Sequence, residues 1–294
     1  MKGRGIDMKF AAVILNWNQA ELTESCLAAT RRATGLDVDY VVVDNGSDAP
    51  FRTTLPGVTV VRNSRNLGFT GGANVGLQHA FSAGADYVWL LNNDAEPLSG
   101  ALDALAAMVV RNASIGLASS VIVDSNAWEN KSYGLLHEAG EYNPISSPED
   151  YERCCDGTPS RICLLGTALL VSRTLVERIG YFDDELFAYW EDIDISRRSA
   201  SAGFNNVVVI DSYVRHASNG ASLGKRPPYY YYYMTRNQLL IARKLRDPLR
   251  PTYWALRRFW QWYKSPNLSK GQRRAIRQGV LHGFAGISGR YLHQ

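Results

Sequence analysis

Several features that would define other classes of protein are missing from this chain of 294 residues. No apolar run approaches the ~20 residues that cross a bilayer, and the first residues lack the apolar core of a signal peptide, so we expect a cytoplasmic protein. The four cysteines show neither a CxxC motif nor paired spacing. The sequence therefore predicts neither a zinc site nor a disulfide framework, and we expect reduced thiols.

Motifs of the commonest hydrolases and phosphotransferases are also missing. The chain has no nucleophile elbow in Ser-His-Asp order, no HExxH zinc motif and no kinase-type motif set. A metal-assisted group transfer remains compatible with the sequence.

Acidic residues are scarce at the C-terminal end. Residues 1–224 carry 17 basic and 27 acidic side chains, whereas residues 225–294 carry 15 basic and one acidic. A block this basic predicts an anionic partner, and phosphate-bearing lipid, nucleic acid or an acidic substrate would each qualify. A solvated basic surface is the alternative.

Strand-like and helix-like segments alternate along most of the chain. Continuous apolar stretches, typical of strands buried on both faces, lie at residues 9–15, 41–43, 58–61, 87–91 and 207–210. The pattern predicts an α/β fold with a mostly parallel central sheet flanked by helices. Polar residues follow several of these strands directly, so we expect a functional site beyond the carboxyl ends of the strands.

The pattern changes in two regions. Between residues 125 and 161 the periodicity fades and prolines accumulate, so we expect an irregular excursion beside the site. Two prolines at 227 and 228 precede five consecutive tyrosines and a basic, tryptophan-rich segment that we expect to be helical. We therefore divide the chain into a main domain, residues 1–226, and a helical C-terminal extension, residues 227–294.

Three polar residues that follow strands could hold a metal ion or a nucleotide. Asp94 could bind a divalent cation, Mg²⁺ or Mn²⁺, together with a diphosphate, or could be a turn residue or helix cap. His216 could be a further metal ligand or a surface histidine. Asp44 could accept hydrogen bonds from a base or a ribose, or could belong to an ordinary turn.

A glycine-rich stretch and an acidic cluster complete the candidates. Residues 66–74 place glycines before a helix, where backbone N–H groups can approach an anion, although tight helix packing is an equal alternative. Glu191, Asp192 and Asp194 lie beside aromatic residues. In a cleft these carboxylates would repel one another and make a general base, whereas an acidic first helical turn is the alternative.

Taken together, these motifs and their order resemble glycosyltransferase family 2. The matching segments are residues 12–18 (AVILNWN), 43–47 (VDNGS), 66–74 (NLGFTGGAN), 90–94 (LLNND) and 191–194 (EDID). The likeness extends from residue 9 to about residue 240, and the chain looks most like the bacterial branch that contains rhamnosyltransferases of cell-surface polysaccharide assembly. The resemblance implies a GT-A fold, a nucleotide-sugar donor, a divalent cation and inversion at the anomeric carbon.

The resemblance also implies roles for single positions. Asp44 matches the family's base-recognising Asp, and Asp192 matches the catalytic base. Asp94 matches the second Asp of the metal-binding Asp-x-Asp motif, in which Asn92 replaces the first Asp, so His216 is expected to assist the metal. Residues 9–124 are then the donor-binding part of a catalytic domain, and residues 125–226 are the acceptor part. The residues expected at the donor nucleotide are Asn16, Asn18, Asp44, Asn45, Ser47, Asn66, Gly68, Phe69, Gly72, Asn74, Asn92 and Asn93, and those expected near the acceptor are Gly166, Trp190, Glu191 and Asp194.

Partners are implied as well. By likeness, TDP-rhamnose is the expected donor, with UDP-galactose or UDP-glucose as alternatives, and the acceptor is a glycan or a polyprenyl-diphosphate-linked saccharide. The basic block and the helically spaced aromatics Tyr253, Trp254, Trp260 and Tyr263 suggest that residues 227–294 dock on the anionic inner face of the membrane. Core packing or a homodimer interface is the alternative.

Three competing interpretations have distinguishing features. A nucleotidyltransferase should carry a glycine-rich loop with Arg and Lys after its first strand, where this chain has Asn-Trp-Asn at 16–18. A non-catalytic sugar-nucleotide or glycan-binding module would not need to retain Asp94, Glu191 and Asp192. A nucleic-acid-binding protein would use the basic aromatic segment for phosphate contact and base stacking. We expect no nucleic-acid partner.

Overall fold

The computed structural model describes residues 8–138, 141–216, 225–245 and 248–291. Within these ranges the chain forms a nine-stranded central sheet with helices packed against it, a small three-stranded sheet and a C-terminal group of helices. The strands are β1 (Phe10–Asn16), β2 (Val38–Asp44), β3 (Val58–Arg62), β4 (Tyr87–Asn92), β5 (Ala95–Pro97), β6 (Ile115–Asp124), β7 (Ala127–Ser132), β8 (Leu135–Glu138), β9 (Glu141–Pro144), β10 (Ile162–Cys163), β11 (Ala168–Ser172) and β12 (Asn205–His216). The helices are α1 (Ala20–Arg32), α2 (Gly68–Ser82), α3 (Ala101–Arg111), α4 (Pro148–Gly157), α5 (Arg173–Ile179), α6 (Glu191–Ser201), α7 (Pro228–Arg243), α8 (Leu249–Lys264) and α9 (Lys270–Ala285).

One half of the central sheet is parallel, in the order β3-β2-β1-β4. Successive side chains of a strand point to opposite faces, and both faces of these strands are apolar. Val13 accordingly packs in the core on the α2 side, and Ile14 packs in a second core with α1 and α3. This half confirms the parallel, helix-covered sheet that the apolar runs predict.

The other half of the sheet is mixed. β11 is antiparallel to both β4 and β6, β12 is parallel to β6, and β5 is antiparallel to β12. β12 is longer than the predicted strand at 207–210, because a bulge between Val209 and Tyr213 accommodates the polar residues Asp211 and Ser212 within the strand. Ser212 in this bulge is buried, and its hydroxyl donates to the Ala101 carbonyl. The stretch predicted at 207–210 is therefore only part of the strand, which continues to His216.

The expectation of an irregular excursion at residues 125–161 is also wrong. The segment forms β7, the antiparallel pair β8 and β9, and α4, which begins with Ser147 accepting a hydrogen bond from the backbone N–H of Asp150. Most side chains of these short strands are partly or fully exposed, so the sequence lacks the apolar alternation that marks a half-buried strand.

The C-terminal extension is helical, as predicted, and it packs on the rest of the chain. α7 begins at Pro228, and the tyrosines at 231, 232 and 233 are 0–2% exposed. They form a core with Phe187 of the main domain, Phe259 of α8 and Ile276 of α9. In the part of the chain that the structure describes, no helix combines the length and apolar character needed to cross a membrane.

Candidate active site

A cavity of about 470 Å³ opens at the carboxyl ends of β1, β2 and β4. Because these strands are parallel, the polar residues that follow them meet at one edge of the sheet. The expected site residues that line this cavity are Asn45, Asn66, Gly68, Phe69, Asn92, Asn93, Asp94, Gly166, Glu191 and Asp192. The structure thus brings the donor-side and acceptor-side candidates to a single space.

Asp94 lines this cavity and faces His216, which does not line it. Asp94 Oδ1 lies 3.1 Å from His216 Nε2, and the side chains are 31% and 21% exposed. The sheet register explains the pairing, because β12 aligns His216 with Ala95, the residue after Asp94. Among the described residues, no group of three or more His, Cys, Asp or Glu side chains could hold a metal ion. The structure brings together two candidate ligands expected from the sequence, Asp94 and His216.

Asp192 is held at the cavity by backbone donors. Its Oδ2 accepts a hydrogen bond from the Gly166 N–H at 3.1 Å, and its Oδ1 accepts one from the Ile193 N–H at 2.8 Å. Burial raises the pKa of Asp192, while these N–H groups favour its ionised form and oppose that rise. The carboxylate therefore lines the cavity in a fixed orientation with a strengthened affinity for protons.

Glu191 shares the buried environment, and its own backbone N–H is the one donor that favours its ionised form. Its side chain is buried, and its Oε2 has no hydrogen-bond partner within the described ranges. Burial, followed by the negative charge of Asp192, raises the pKa of Glu191 to about 8. Near neutral pH Glu191 therefore holds a proton, and the backbone donors at Asp192 favour negative charge on Asp192 over Glu191.

The loop that leads into this pair has a strained backbone. Phe187, Tyr189 and Trp190 adopt φ values of 65°, 67° and 74°, in the left-handed region that bulky residues rarely occupy. Such strain persists only where the surrounding structure enforces it. Here α7 supplies the restraint, because Asn237 Nδ2 lies 2.8–2.9 Å from the carbonyl oxygens of residues 186, 188 and 189, and Arg236 donates to that of 186 as well.

The donor-side wall is built around Asn45. Its Oδ1 accepts from the Leu67 N–H at 3.1 Å, and its Nδ2 donates to the Gly68 carbonyl at 2.8 Å. Asn66 Oδ1 accepts from the Gly68 N–H at 2.7 Å. Gly68 has a φ of +78°, and a Cβ there would overlap the Phe187 carbonyl oxygen. The donor-side loop, residues 66–68, is therefore in direct contact with the strained loop, residues 187–190.

Asp44 does not line the cavity. Its side chain is fully buried; Oδ1 accepts from the Ser47 N–H at 3.1 Å, and Oδ2 accepts from the Phe51 N–H at 3.0 Å and from the Arg62 guanidinium. Burial opposes ionisation, but the hydrogen bonds from Ser47 and Phe51, with the Arg62 charge, outweigh it and hold the pKa of Asp44 below its usual value. In this conformation Asp44 organises the loop after β2.

Other expected donor residues also support the walls from behind. The Ser47 hydroxyl accepts hydrogen bonds from Asn16 Nδ2 and from the Asn18 N–H, which joins the ends of β1 and β2. A Cβ on Gly72 would lie 2.5 Å from Leu15 Cδ1, so glycine there permits close packing of α2. Asn74 bonds both the N–H and the carbonyl of Phe182. None of the five expected residues Asn16, Asn18, Ser47, Gly72 and Asn74 lines the cavity.

Two residues expected near the acceptor do not line the large cavity. Asp194 is buried and pairs with Arg198 one helical turn later, at 2.7 Å between Oδ2 and Nε. Trp190 packs edge-on against Tyr142, with ring centroids 5.1 Å apart, rather than lining the large cavity. The acidic cluster therefore divides, with Glu191 and Asp192 at the cavity and Asp194 in a helix-stabilising ion pair.

Several lining residues were not among the sequence candidates. The cavity also includes Gln19, Thr167, Tyr229 and Tyr233. Tyr229 and Tyr233 are four residues apart on α7, so they share one face of the helix. Their spacing in the sequence indicates that they share a helix face. It does not indicate that this face borders the site.

Comparisons with known proteins agree with this geometry. The sequence model of the family "Glycosyl transferase family 2" matches residues 11–180. The chain belongs to glycosyl transferase family 2. It is therefore a glycosyltransferase, as the resemblance implies.

Named relatives are about one quarter identical to this chain over the aligned residues. Identity to the galactofuranosyltransferase GlfT1 of Mycobacterium tuberculosis is 26% over 226 residues, which cover 70% of this chain and 69% of that protein. Identity to the N-acetylglucosaminyl-diphospho-decaprenol L-rhamnosyltransferase of the same species is 26% over 239 residues, covering 73% of this chain and 78% of that protein.

Solved structures show the same fold. The mannosyltransferase PcManGT of Pyrobaculum calidifontis, determined with GDP-Man and Mn²⁺, superposes with a TM-score of 0.57 at 17% identity, covering 97% of this chain and 76% of that one. GalNAc-T7, determined with UDP, GalNAc and Mn²⁺, gives a TM-score of 0.57 at 15% identity, covering 95% of this chain and 56% of that one. The GT-A fold expected from the sequence is confirmed.

Proposed function

We propose that this glycosyltransferase is an inverting, metal-dependent enzyme that transfers a sugar from a nucleotide-diphosphate donor to a glycan or lipid-linked acceptor. The observation that carries the proposal is that Asp94 and Asp192 line one cavity, so that a metal-binding carboxylate and a basic carboxylate face the same reactants. The named relatives transfer galactofuranosyl and L-rhamnosyl groups, and one of them acts on a lipid-diphosphate sugar. We take L-rhamnose from TDP-rhamnose as the first candidate, a UDP-hexose as the alternative, and bacterial surface polysaccharide as the product.

A divalent cation fits the residues present. Asp94 offers an oxygen ligand and His216 an imidazole nitrogen, and cations of this kind commonly complete their coordination with substrate phosphates and water. Mg²⁺ prefers oxygen ligands, so the imidazole favours Mn²⁺. The two structural neighbours were determined with Mn²⁺. When bound, the cation would stabilise the negative charge that gathers on the departing diphosphate.

Asp192 performs the proton transfer in this proposal. The acceptor hydroxyl forms a bond to the anomeric carbon while the bond from that carbon to the donor phosphate oxygen breaks, through a transition state with oxocarbenium character. The hydroxyl proton passes to Asp192, and the bonding pair leaves with the nucleoside diphosphate. Attack from the face opposite the leaving group inverts the anomeric configuration without a covalent enzyme intermediate.

Glu191 supports the role of Asp192 as base by holding the proton that the two carboxyl groups share. Two adjacent carboxylates in a buried site resist double ionisation, so one proton remains on the pair near neutral pH. The Gly166 and Ile193 N–H groups stabilise negative charge on Asp192, and Glu191 therefore retains the proton.

The product of a single turnover tests the proposed function. The purified chain is incubated with Mn²⁺ and each of TDP-rhamnose, UDP-galactose and UDP-glucose, with a saccharide-diphosphate lipid as acceptor. The proposal predicts release of nucleoside diphosphate and a new glycosidic bond whose anomeric configuration, determined by NMR, is opposite to that of the donor. Retention of configuration would contradict the assignment of Asp192 as base, because retention requires a different arrangement.

A further inference from the structure

A second cavity also borders Glu191 and Asp192. It has a volume of about 250 Å³ and shares Tyr189, Glu191 and Asp192 with the large cavity. Asp94 and the donor-side loop line only the large cavity. Asp192 therefore lines both cavities, and only the large cavity also contains Asp94, the proposed metal ligand. In a displacement with inversion the acceptor and the diphosphate occupy separate spaces, and the second cavity offers such a space at Asp192.

The walls of the second cavity combine aromatic rings with unsatisfied polar atoms. Tyr142, Tyr189 and Trp190 line it, together with Met234 of α7. Within the described ranges, the buried Trp190 Nε1 and Glu191 Oε2 have no hydrogen-bond partner. Buried polar groups are normally satisfied, and Trp190 lines only this cavity whereas Glu191 lines both, so a ligand bound here can supply missing hydrogen-bond partners. A sugar ring does so through its hydroxyl groups and packs its C–H faces on aromatic side chains.

One cation completes the lining. Arg258 of α8 reaches this cavity, and it makes no ion pair with a carboxylate of the described residues. A guanidinium group binds phosphate oxygens through two parallel hydrogen bonds. The cavity therefore offers aromatic and polar contacts for a sugar and a positive charge for an attached phosphate.

We propose that the second cavity binds the acceptor as a sugar phosphate ester, with Trp190 and Tyr142 against the sugar and Arg258 on its phosphate. This assignment rests on the proposed function and adds the chemical class of the acceptor to it. Arg258 comes from the C-terminal extension, so the extension selects the acceptor while the main domain binds the donor.

The test compares two acceptor probes that differ only in the phosphates. One is N-acetylglucosaminyl diphosphate carrying a decyl chain, and the other is the neutral decyl glycoside of the same sugar. Arg258→Ala should raise the KM for the diphosphate probe by about tenfold or more, with the KM for the donor unchanged. Arg258→Lys should recover part of the loss. The control Arg178→Ala removes an exposed arginine of α5 that lines neither cavity, and it should leave both constants unchanged.

Each alternative outcome is distinguishable. Similar wild-type KM values for the two probes would overturn the phosphate assignment. An equal rise of both KM values in Arg258→Ala would overturn it as well. A wild-type chain that binds the nucleotide and hydrolyses the donor but uses neither probe would overturn the acceptor class and leave the proposed function standing. Absence of nucleotide binding and donor hydrolysis would instead overturn the proposed function.

A different observation concerns the outer face of α8. Tyr253, Leu256 and Trp260 are 61%, 36% and 58% exposed, and they fall within a ~60° arc of the helix. The opposite side of α8 packs in the core through Ala255 and Phe259. Exposed aromatic and aliphatic side chains on one face of a helix are a costly arrangement in water, which indicates an interaction surface.

The charge of the region identifies the partner. Arg257 and Lys264 flank the apolar face, each with its cation beside a tryptophan ring, and residues 225–294 carry 15 basic side chains and one acidic. A second copy would bring two such basic blocks together, which is unfavourable. The phosphates of a nucleic acid would pair with the basic side chains, but they offer no apolar surface on which Leu256 could be buried. An anionic bilayer accepts the apolar side chains and the cations together.

We infer that the outer face of α8 docks on an anionic membrane surface. Co-sedimentation of the full chain with phosphatidylcholine vesicles, with and without phosphatidylglycerol, tests this. Binding should require phosphatidylglycerol and weaken with salt, and Trp260→Ala should lower the partition coefficient by about tenfold. The matched control is Trp128→Ala, which removes a tryptophan of similar exposure from β7. Equal binding to both vesicles, or a dimer in solution that Trp260→Ala dissociates, would overturn the inference.

Discussion

Replacing Asp192 with asparagine removes the proposed base with almost no change of shape. The wild-type carboxylate accepts one hydrogen bond on each oxygen, from Gly166 and from Ile193. An asparagine can keep only one of these acceptors, because its NH₂ group faces the other N–H. The variant therefore loses one hydrogen bond of about 1 kcal/mol, and it also loses the unfavourable burial of a charge, so its stability should change little.

The expected loss of activity is much larger. Without a base, the acceptor hydroxyl must lose its proton to water, and general-base assistance is worth ~10²–10⁴-fold in rate. This factor corresponds to about 3–5 kcal/mol of transition-state stabilisation. Asp192 does not belong to the proposed metal pair, so the affinity for the donor nucleotide should stay close to that of the wild type.

Two assays separate these effects. Coupled detection of nucleoside diphosphate release gives kcat, and calorimetric titration gives the dissociation constant for the nucleotide with Mn²⁺. The matched control is Asp194→Asn on the same helix, which breaks the ion pair with Arg198 and should lower the thermal midpoint while keeping kcat. An Asp192→Asn variant with wild-type kcat, or a larger loss of kcat in Asp194→Asn, would refute the assignment of the base.

Three further substitutions test the surroundings of the site. Because the pKa of Glu191 is raised from 4.5 to about 8, its contribution to stability is lost as pH rises through that range, and Glu191→Gln should be more stable than wild type by a few kcal/mol above about pH 8 in denaturant titrations. Gly68→Ala should lower both thermal midpoint and donor affinity, because its Cβ would overlap the Phe187 carbonyl oxygen at positive φ. Asn237→Leu should lower kcat by about tenfold or more, measured by diphosphate release, because the strained loop loses its hydrogen bonds.

The parallel half of the fold could be predicted from the sequence because its strands are buried on both faces. A strand such as β4, with an unbroken apolar run, leaves a clear signal that short, partly exposed strands such as β8 do not. The length of β12 was underestimated for a similar reason, since the polar Asp211-Ser212 pair is accommodated by a bulge. Local patterns do not report such tertiary compensation.

The site was predictable as a set of positions and less so as a set of contacts. The order of the motifs identified Asp94, Asp192 and the Asn66–Gly68 loop, all of which line the cavity. It could not separate lining residues from supporting ones such as Asp44, because both roles place polar groups at strand ends. The part played by α7 depends on contacts between residues about 50 positions apart, which one sequence does not show.

Nucleotide binding measured by thermal shift tests the central claim most directly. The wild-type chain and Asp94→Ala are melted with TDP, UDP, GDP or CMP, each with and without Mn²⁺. At about 100 times the dissociation constant, a ligand specific for the folded state contributes ~2.7 kcal/mol and raises the midpoint by several degrees. We predict a shift with TDP or UDP that requires Mn²⁺ and disappears in Asp94→Ala. A shift that is independent of Mn²⁺ and persists in Asp94→Ala, or no shift with any nucleotide, would contradict the account.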